Sequence, residues 1–345
     1  MGRTTRVSCS EGTYSDEMRL TDSHGRVATD LRVSLTDRCN LRCSYCMPAE
    51  GLDWLPNPLL LTDDEILRLV TIAVARLGVT EIRLTGGEPT LRPGLVRLVE
   101  RMAALSPRPE LSLTTNGLRL AGLAGPLAAA GLDRVNVSLD TLRPERFARI
   151  TRRNRLDDVL GGLAAAADAG LIPVKVNAVL LRGLNDDEAA PLLRWCLARG
   201  YELRFIEQMP LDAQHGWRRT EMITAGEILT RLEAEFVLTA LPGRGSAPAE
   251  LFAVDGGPGT VGVIGSVSAP FCAACDRVRL TADGQVRNCL FARDESDLRG
   301  PMRSGATDDD LADRWVRAVW GKHAGHGIDA PGFHQPARPM SAIGG

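Results

Sequence analysis

Six of the eight cysteines in this 345-residue chain fall into two tight groups, and they are the side chains best suited to chemistry. Cys39, Cys43 and Cys46 form a C-x3-C-x2-C loop, and Cys272, Cys275 and Cys289 form C-x2-C-x13-C. Three thiolates on one short loop can hold three corners of a cubane iron–sulfur cluster. The fourth iron then has no protein ligand, which is the open position a catalytic centre needs and a structural one closes. No fourth Cys or His stands near the first loop, for which a structural zinc loop is the alternative. For the second group the alternative is a zinc ribbon completed by His323, His326 or His334, although ribbons ordinarily show paired C-x2-C units. Cys9 and Cys196 stand apart, and Cys196 reads as a core residue of a helix.

Further polar residues recur after apolar runs: Tyr45 before Cys46, then Thr85-Gly-Gly-Glu-Pro89, Thr114-Thr-Asn-Gly117 and Asn136-Val-Ser-Leu-Asp140. Gly86 and Gly87 allow close approach of backbone to a ligand, and Glu88 can accept from an ammonium group. No GxxxxGK[ST] phosphate loop is present. Arg277 and Arg279 lie two apart, on one face if the segment is a strand. They suit either neutralisation of an anionic cluster or bidentate grip on a phosphate. Only Lys175 and Lys322 are lysines among 41 basic residues, so neither reads as incidental. Lys175 also interrupts the apolar run 172–181.

The elements that must position these residues follow from periodicity. Strands are expected at 31–36, 81–85, 111–115, 134–140, 174–181 and 202–208. Helices are expected from Thr62 to about Leu77, opened by a Thr62/Glu65 capping box, and over 94–105, 118–130, 156–169, 187–199 and 224–235. Six strand–helix units predict a parallel sheet with right-handed crossovers. With polar residues clustered at strand C-terminal ends, a partial (βα)6 TIM-type barrel is favoured over an open doubly wound sheet. Beyond residue 236 the alternation stops. Short strands are expected at 261–267, 277–281 and 285–290, with a turn at Asp283-Gly284 and a last helix over 308–320. The organisation is therefore an N-terminal arm (1–29), a barrel (30–236), a smaller C-terminal α+β cluster-binding part (237–329) and an extended Gly-Gly tail (330–345).

Composition narrows the class. Hydrophobic residues make up 44% and charged residues 24%, enough apolar content for a large core. A net charge of −2 argues against non-specific nucleic-acid or membrane-surface binding. No apolar run reaches a membrane span and the N-terminal stretch lacks an apolar signal core, so a cytoplasmic location is expected. There cysteines stay reduced, and clusters of them point to metal.

The loop of Cys39, Cys43 and Cys46 followed by Gly-Gly-Glu-Pro resembles the radical S-adenosylmethionine (SAM) superfamily. Within it, the strings at 31–48, 84–89, 174–177, 203–207, 271–280 and 340–345 are similar to the GTP 3′,8-cyclase family, also called molybdenum cofactor biosynthesis protein A, from about residue 30 to the end. The resemblance implies two 4Fe–4S clusters, on Cys39, Cys43 and Cys46 and on Cys272, Cys275 and Cys289. It places SAM at Tyr45, Gly87, Ser138 and Met209. It places GTP at Arg32, Arg83, Thr114, Lys175, Arg204, Arg277 and Arg279. Arg277, Arg279, Gly344 and Gly345 become catalytic positions. Glu81 stands where relatives can carry Lys and is left out of the site.

The implied reaction is radical cyclisation of GTP to (8S)-3′,8-cyclo-7,8-dihydroguanosine 5′-triphosphate, early in molybdenum cofactor biosynthesis. A 5′-deoxyadenosyl radical removes the ribose 3′-hydrogen, and C3′ then joins C8 of guanine. Cyclic pyranopterin monophosphate synthase is implied as the downstream enzyme, and the resemblance admits a homodimer. Two rivals remain at this stage: a radical SAM peptide maturase, disfavoured by the small C-terminal cysteine set, and a zinc-stabilised binding module.

Overall fold

Alternation with a period of two writes two faces onto each central strand. Leu31 and Val33 of β1 (Asp30–Ser34), Ile82 and Leu84 of β2 (Glu81–Thr85) and Leu111 and Leu113 of β3 (Glu110–Thr115) are fully buried in the main apolar core. So are Val135 and Val137 of β4 (Arg134–Ser138), Val176 of β5 (Lys175–Ala178) and Leu203 and Phe205 of β6 (Glu202–Ile206). The intervening residues, Arg32, Arg83, Thr114, Asn177 and Arg204 among them, face a cavity instead. An ordinary closed barrel fills its interior with branched apolar side chains. A polar interior marks a barrel built around ligands.

In the computed structural model, which describes residues 18–344, strands β1 to β6 run parallel and in sequence order. The helices between them are α1 (Asp63–Leu77), α2 (Leu95–Ala103), α3 (Leu120–Ala129), α4 (Pro144–Thr151), α5 (Leu156–Asp168) and α6 (Ala189–Leu197), and α7 (Ala225–Glu233) follows β6. The expected capping box opens α1: the Thr62 side chain accepts from the Glu65 amide while Glu65 accepts from Thr62. Asp63, Asp64 and Glu65 in the first turn complement the helix dipole. Thr224 with Glu227 does the same for α7. Helix α4 was not expected from the sequence pattern.

The chain beyond residue 236 adds to both edges of this arc. Strand β9 (Thr260–Ile264) pairs parallel with β6 and carries the antiparallel β8 (Glu250–Val254) and β7 (Leu238–Ala240). At the other edge β10 (Arg277–Leu280) pairs parallel with β1 and carries β11 (Gln285–Arg287) and β12 (Ser296–Asp297). The expected turn between β10 and β11 is present, with Gly284 at φ +80°. Pairing Arg277 with Asp30 and Arg279 with Arg32 sets both arginines on the interior face. Helices α8 (Arg299–Arg303) and α9 (Asp308–Trp320) complete this part, and α9 spans the bounds expected of the last helix.

The tail requires a correction. It is not extended throughout: Met340–Ile343 forms one turn of helix, α10, seated in the barrel mouth with Ile343 fully buried. Its approach is fixed upstream, where Arg338 grips Asp283 through both carboxylate oxygens (2.9 and 2.8 Å) and Glu295 at 2.8 Å. No helix among the described residues is long and apolar enough to cross a membrane.

Candidate active site

Two cavities meet inside the arc. One is lined by Cys39, Cys43 and Cys46 together with Tyr45, Gly87, Ser138 and Met209, so every residue expected around the first cluster and SAM lies in one wall. The other is lined by Cys272, Cys275 and Cys289 with Arg32, Arg83, Arg204, Arg277 and Arg279. Thr114, Asn177, Ile206, Met209 and Met340 line both. The two spaces adjoin along these shared residues.

The first cavity is shaped by backbone approach. A Cβ at Gly87 would meet the carbonyl oxygens of Arg38 and Asp37 at 2.4 and 2.5 Å, and one at Gly86 would meet that of Thr36 at 2.3 Å. Only glycines let this strand end lie against the cysteine loop. The Tyr45 hydroxyl donates to Asp140 at 2.9 Å. Burial pushes the Asp140 carboxyl up to about 6 and, with the Asp140 charge beside it, raises the Tyr45 phenol well above its usual range. Asn116 donates towards the Cys39 sulfur at 3.8 Å and to Asn40 at 2.7 Å.

Glu88 departs from expectation. It is 1% exposed and turned inward, accepting from the Thr90 amide and hydroxyl, the Thr115 hydroxyl and the Asn116 amide. It clamps the ends of β2 and β3 together and does not line either cavity.

The second cavity is crowded with cations. Arg32 is lowered to about 9 by burial and then by Arg83, with Asp30 opposing. Burial also lowers Arg83, Arg204 and, most strongly, Arg279. The Nε atoms of Arg32, Arg83, Arg204 and Arg277 are buried without a hydrogen-bond partner. Asp30 reaches Arg32 and Arg83 only loosely, at 3.8 and 3.9 Å. Glu202 and Asp276 stand similarly far from Arg204 and Arg277, at 3.6 and 3.7 Å, so these buried guanidiniums are only partly neutralised and suit an anionic ligand. Arg277 stacks on the Phe271 ring at 4.5 Å and donates to the Ser246 carbonyl at 3.2 Å.

Arg279 donates to the carbonyl oxygen of Gly344. Gly344, at φ +89°, lies between β1 and β2, where a Cβ would meet Thr85 Cγ2 at 2.9 Å and Ser34 Cβ at 3.1 Å. Gly345 lies outside the described residues. Lys175 is the expected residue that the cavity wall does not include. It sits one interior layer deeper, beside Glu202 at 3.6 Å, and burial together with Arg204 lowers it to about 8. Glu81 is held at 3.1 Å by Arg134, consistent with its exclusion.

Each group of three thiols lines one cavity. Among the described residues no three His, Cys, Asp or Glu converge on a site for one metal ion. His326, a candidate zinc ligand, instead meets the Ser266 carbonyl at 3.1 Å. Burial followed by neighbouring charge raises Cys43 and Cys46, the latter to about 12, so these thiols need a strongly cationic group to ionise. At the other end Cys275 is lowered despite its burial, because Arg277 and Lys322 lie beside it.

Sequence reasoning missed Lys322, which is 4% exposed. Its ammonium donates to the carbonyls of Cys275 (3.0 Å) and Arg277 (2.9 Å) and to the Cys275 sulfur (3.3 Å). Its rarity was the available signal.

Comparison with known proteins agrees with this geometry. The Radical SAM superfamily model matches residues 33–196, and the Molybdenum Cofactor Synthesis C model matches residues 201–328. A GTP 3′,8-cyclase from Streptomyces coelicolor is 68% identical over 328 residues, covering 94% of this chain and 96% of that protein. The chain belongs to the GTP 3′,8-cyclase family. A second cyclase, from Mycolicibacterium smegmatis, is 61% identical over 332 residues and 94% and 92% of the two chains. More distant solved structures share the cyclase family's fold. SuiB of Streptococcus suis bound to S-adenosylmethionine superposes with a TM-score of 0.61 at 14% identity, over 89% of this chain and 69% of that one. A structure of anSMEcpe with bound AdoMet gives 0.53 at 14% identity, over 86% and 81%.

Proposed function

We propose that this chain is a radical SAM GTP 3′,8-cyclase acting early in molybdenum cofactor biosynthesis. The observation that carries the reading is a cysteine-lined cavity at each side of one shared wall, with buried, partly neutralised guanidiniums lining the second of them. A SAM-sized ligand and a polyanionic nucleotide can therefore lie in adjoining spaces that share Ile206, Met209 and Met340 as walls.

Cys39, Cys43 and Cys46 hold one 4Fe–4S cluster, and Tyr45, Gly87, Ser138 and Met209 surround SAM. Cys272, Cys275 and Cys289 hold the second cluster. Bound there, SAM and the first cluster would supply one-electron cleavage to a hydrogen-abstracting radical, and the second cluster, with three cysteine ligands, would be available to anchor guanine. The protein's own part is placement. Arg32, Arg83, Arg204 and Arg277 grip the triphosphate, Thr114 marks the junction, and Lys175 adds positive charge from the layer beneath. Arg279 is aimed by the Gly344 carbonyl and presents its guanidinium Nη atoms to the nucleotide as it closes. In this reading the product passes to cyclic pyranopterin monophosphate synthase, and the enzyme works in the cytoplasm.

Reduced protein incubated without oxygen with SAM and GTP should yield 5′-deoxyadenosine and the 3′,8-cyclised nucleotide together. SAM cleavage with no nucleotide product, or cyclisation without SAM, would overturn the reading.

A further inference from the structure

Lys322 lines neither cavity. It ends the segment after α9 and reaches back to the turn at the base of β10. An ammonium has three hydrogens, and here each has a partner: the carbonyls of Cys275 and Arg277 and the sulfur of Cys275. The side chain is buried, with no acidic side chain paired to it among the described residues. A buried lysine without a carboxylate is costly unless another anion balances it. The anion at hand is the Cys275 thiolate. Arg26 braces the same turn from outside, donating to the Cys272 carbonyl at 2.6 Å while anchored on the Asp22 carboxylate at 2.5 Å, so its hydrogen bond to the turn is to backbone.

We infer that Lys322 is a positioning residue that tunes the second cluster, holding one fixed positive charge against the Cys275 ligand sulfur. Hydrogen bonds and positive charge at ligand sulfurs stabilise the more negative, reduced state of an iron–sulfur cluster and raise its reduction potential. Because the same ammonium also holds the Arg277 carbonyl, it ties the register of a substrate-gripping arginine to that of a cluster ligand. This inference rests on the assignment of the second cluster to Cys272, Cys275 and Cys289.

The test uses the full-length, iron-loaded protein and its Lys322→Met variant, each also in a Cys43→Ser background so that only the second cluster reports. Iron and sulfide are counted first. About four irons in the Cys43→Ser protein confirm the second cluster, whereas none would remove the assignment beneath the inference. Redox titration followed by electron paramagnetic resonance should then show the Lys322→Met midpoint at a lower potential than the parent. Lys322→Arg, which keeps the charge, should recover most of the shift. An unmoved midpoint overturns the inference while leaving the cluster assignment intact. If Lys322→Met loses its iron, Lys322→Gln is titrated in its place. Loss of iron there too would make Lys322 a requirement for assembly and overturn the tuning role.

Discussion

Replacing Gly344 by Ala tests whether the tail must be seated for cyclisation. The backbone at φ +89° is sparsely populated by L-residues, at a cost of about 1–3 kcal/mol. The new methyl would lie 2.9 Å from Thr85 Cγ2 and 3.1 Å from Ser34 Cβ. Overpacking of that kind costs about 1–3 kcal/mol. Taking the low end of each, the seated tail is disfavoured by about 2 kcal/mol, roughly a thirtyfold smaller equilibrium constant for seating. Arg338 and its partners Asp283 and Glu295 hold the tail upstream, so the remainder of the fold is not disturbed. Gly344→Ala should therefore keep its iron and most of its GTP affinity, and form cyclised product more slowly, by up to about thirtyfold. Removal of Gly344 and Gly345 sets the limit, about a hundredfold or more, the scale of a lost catalytic group. Product yield, bound GTP and iron content should be measured side by side. Full activity in Gly344→Ala would refute the reasoning, and so would a parallel loss of iron, because the tail would then only support folding.

Cys43→Ser should abolish 5′-deoxyadenosine formation and leave the second cluster's iron in place. In that background, saturating GTP should perturb the magnetic spectrum of the second cluster, and an unchanged spectrum would deny it the anchoring role. Lys175 predicts a pH effect whose sign follows from its lowered value. The folded protein loses this proton as pH rises through about 8, whereas the unfolded chain keeps it to about 10.5, so the unliganded fold gains stability across that window. GTP favours the charged form, so its affinity should fall as pH rises through about 8, and Lys175→Met should remove that slope. Lys175→Ala should weaken GTP at neutral pH, by up to about 1.5–3 kcal/mol if a phosphate reaches the ammonium directly.

Much of the barrel was legible because its signals are local. The Thr62/Glu65 box, the 81–85 strand and α9 depend on neighbours within a few residues. Arg32, Arg83 and Arg204 also share a legible parity, each alternating with core residues on its own strand. Helix α4 escaped notice because it is short and opens on Pro144 with no side-chain cap. The β7–β8 hairpin was hidden by the Gly- and Pro-rich stretch around it and by its weak burial. The parallel pairing of β10 with β1 joins residues almost 250 apart, and no local pattern encodes it. For the same reason the tail's turn of helix, the inward clamp of Glu88 and the depth of Lys175 emerge only once distant elements meet. Lys322 was visible as a rare residue type, but its role needed the sulfur of Cys275 beside it.

Cyclisation of GTP labelled with deuterium at C3′ is the most direct measurement. Reduced enzyme, SAM and labelled GTP should give 5′-deoxyadenosine carrying one deuterium for each 3′,8-cyclised nucleotide formed. Unlabelled 5′-deoxyadenosine beside cyclised product would place hydrogen abstraction elsewhere, and 5′-deoxyadenosine with no nucleotide product would contradict the placement of GTP in the arginine-lined cavity.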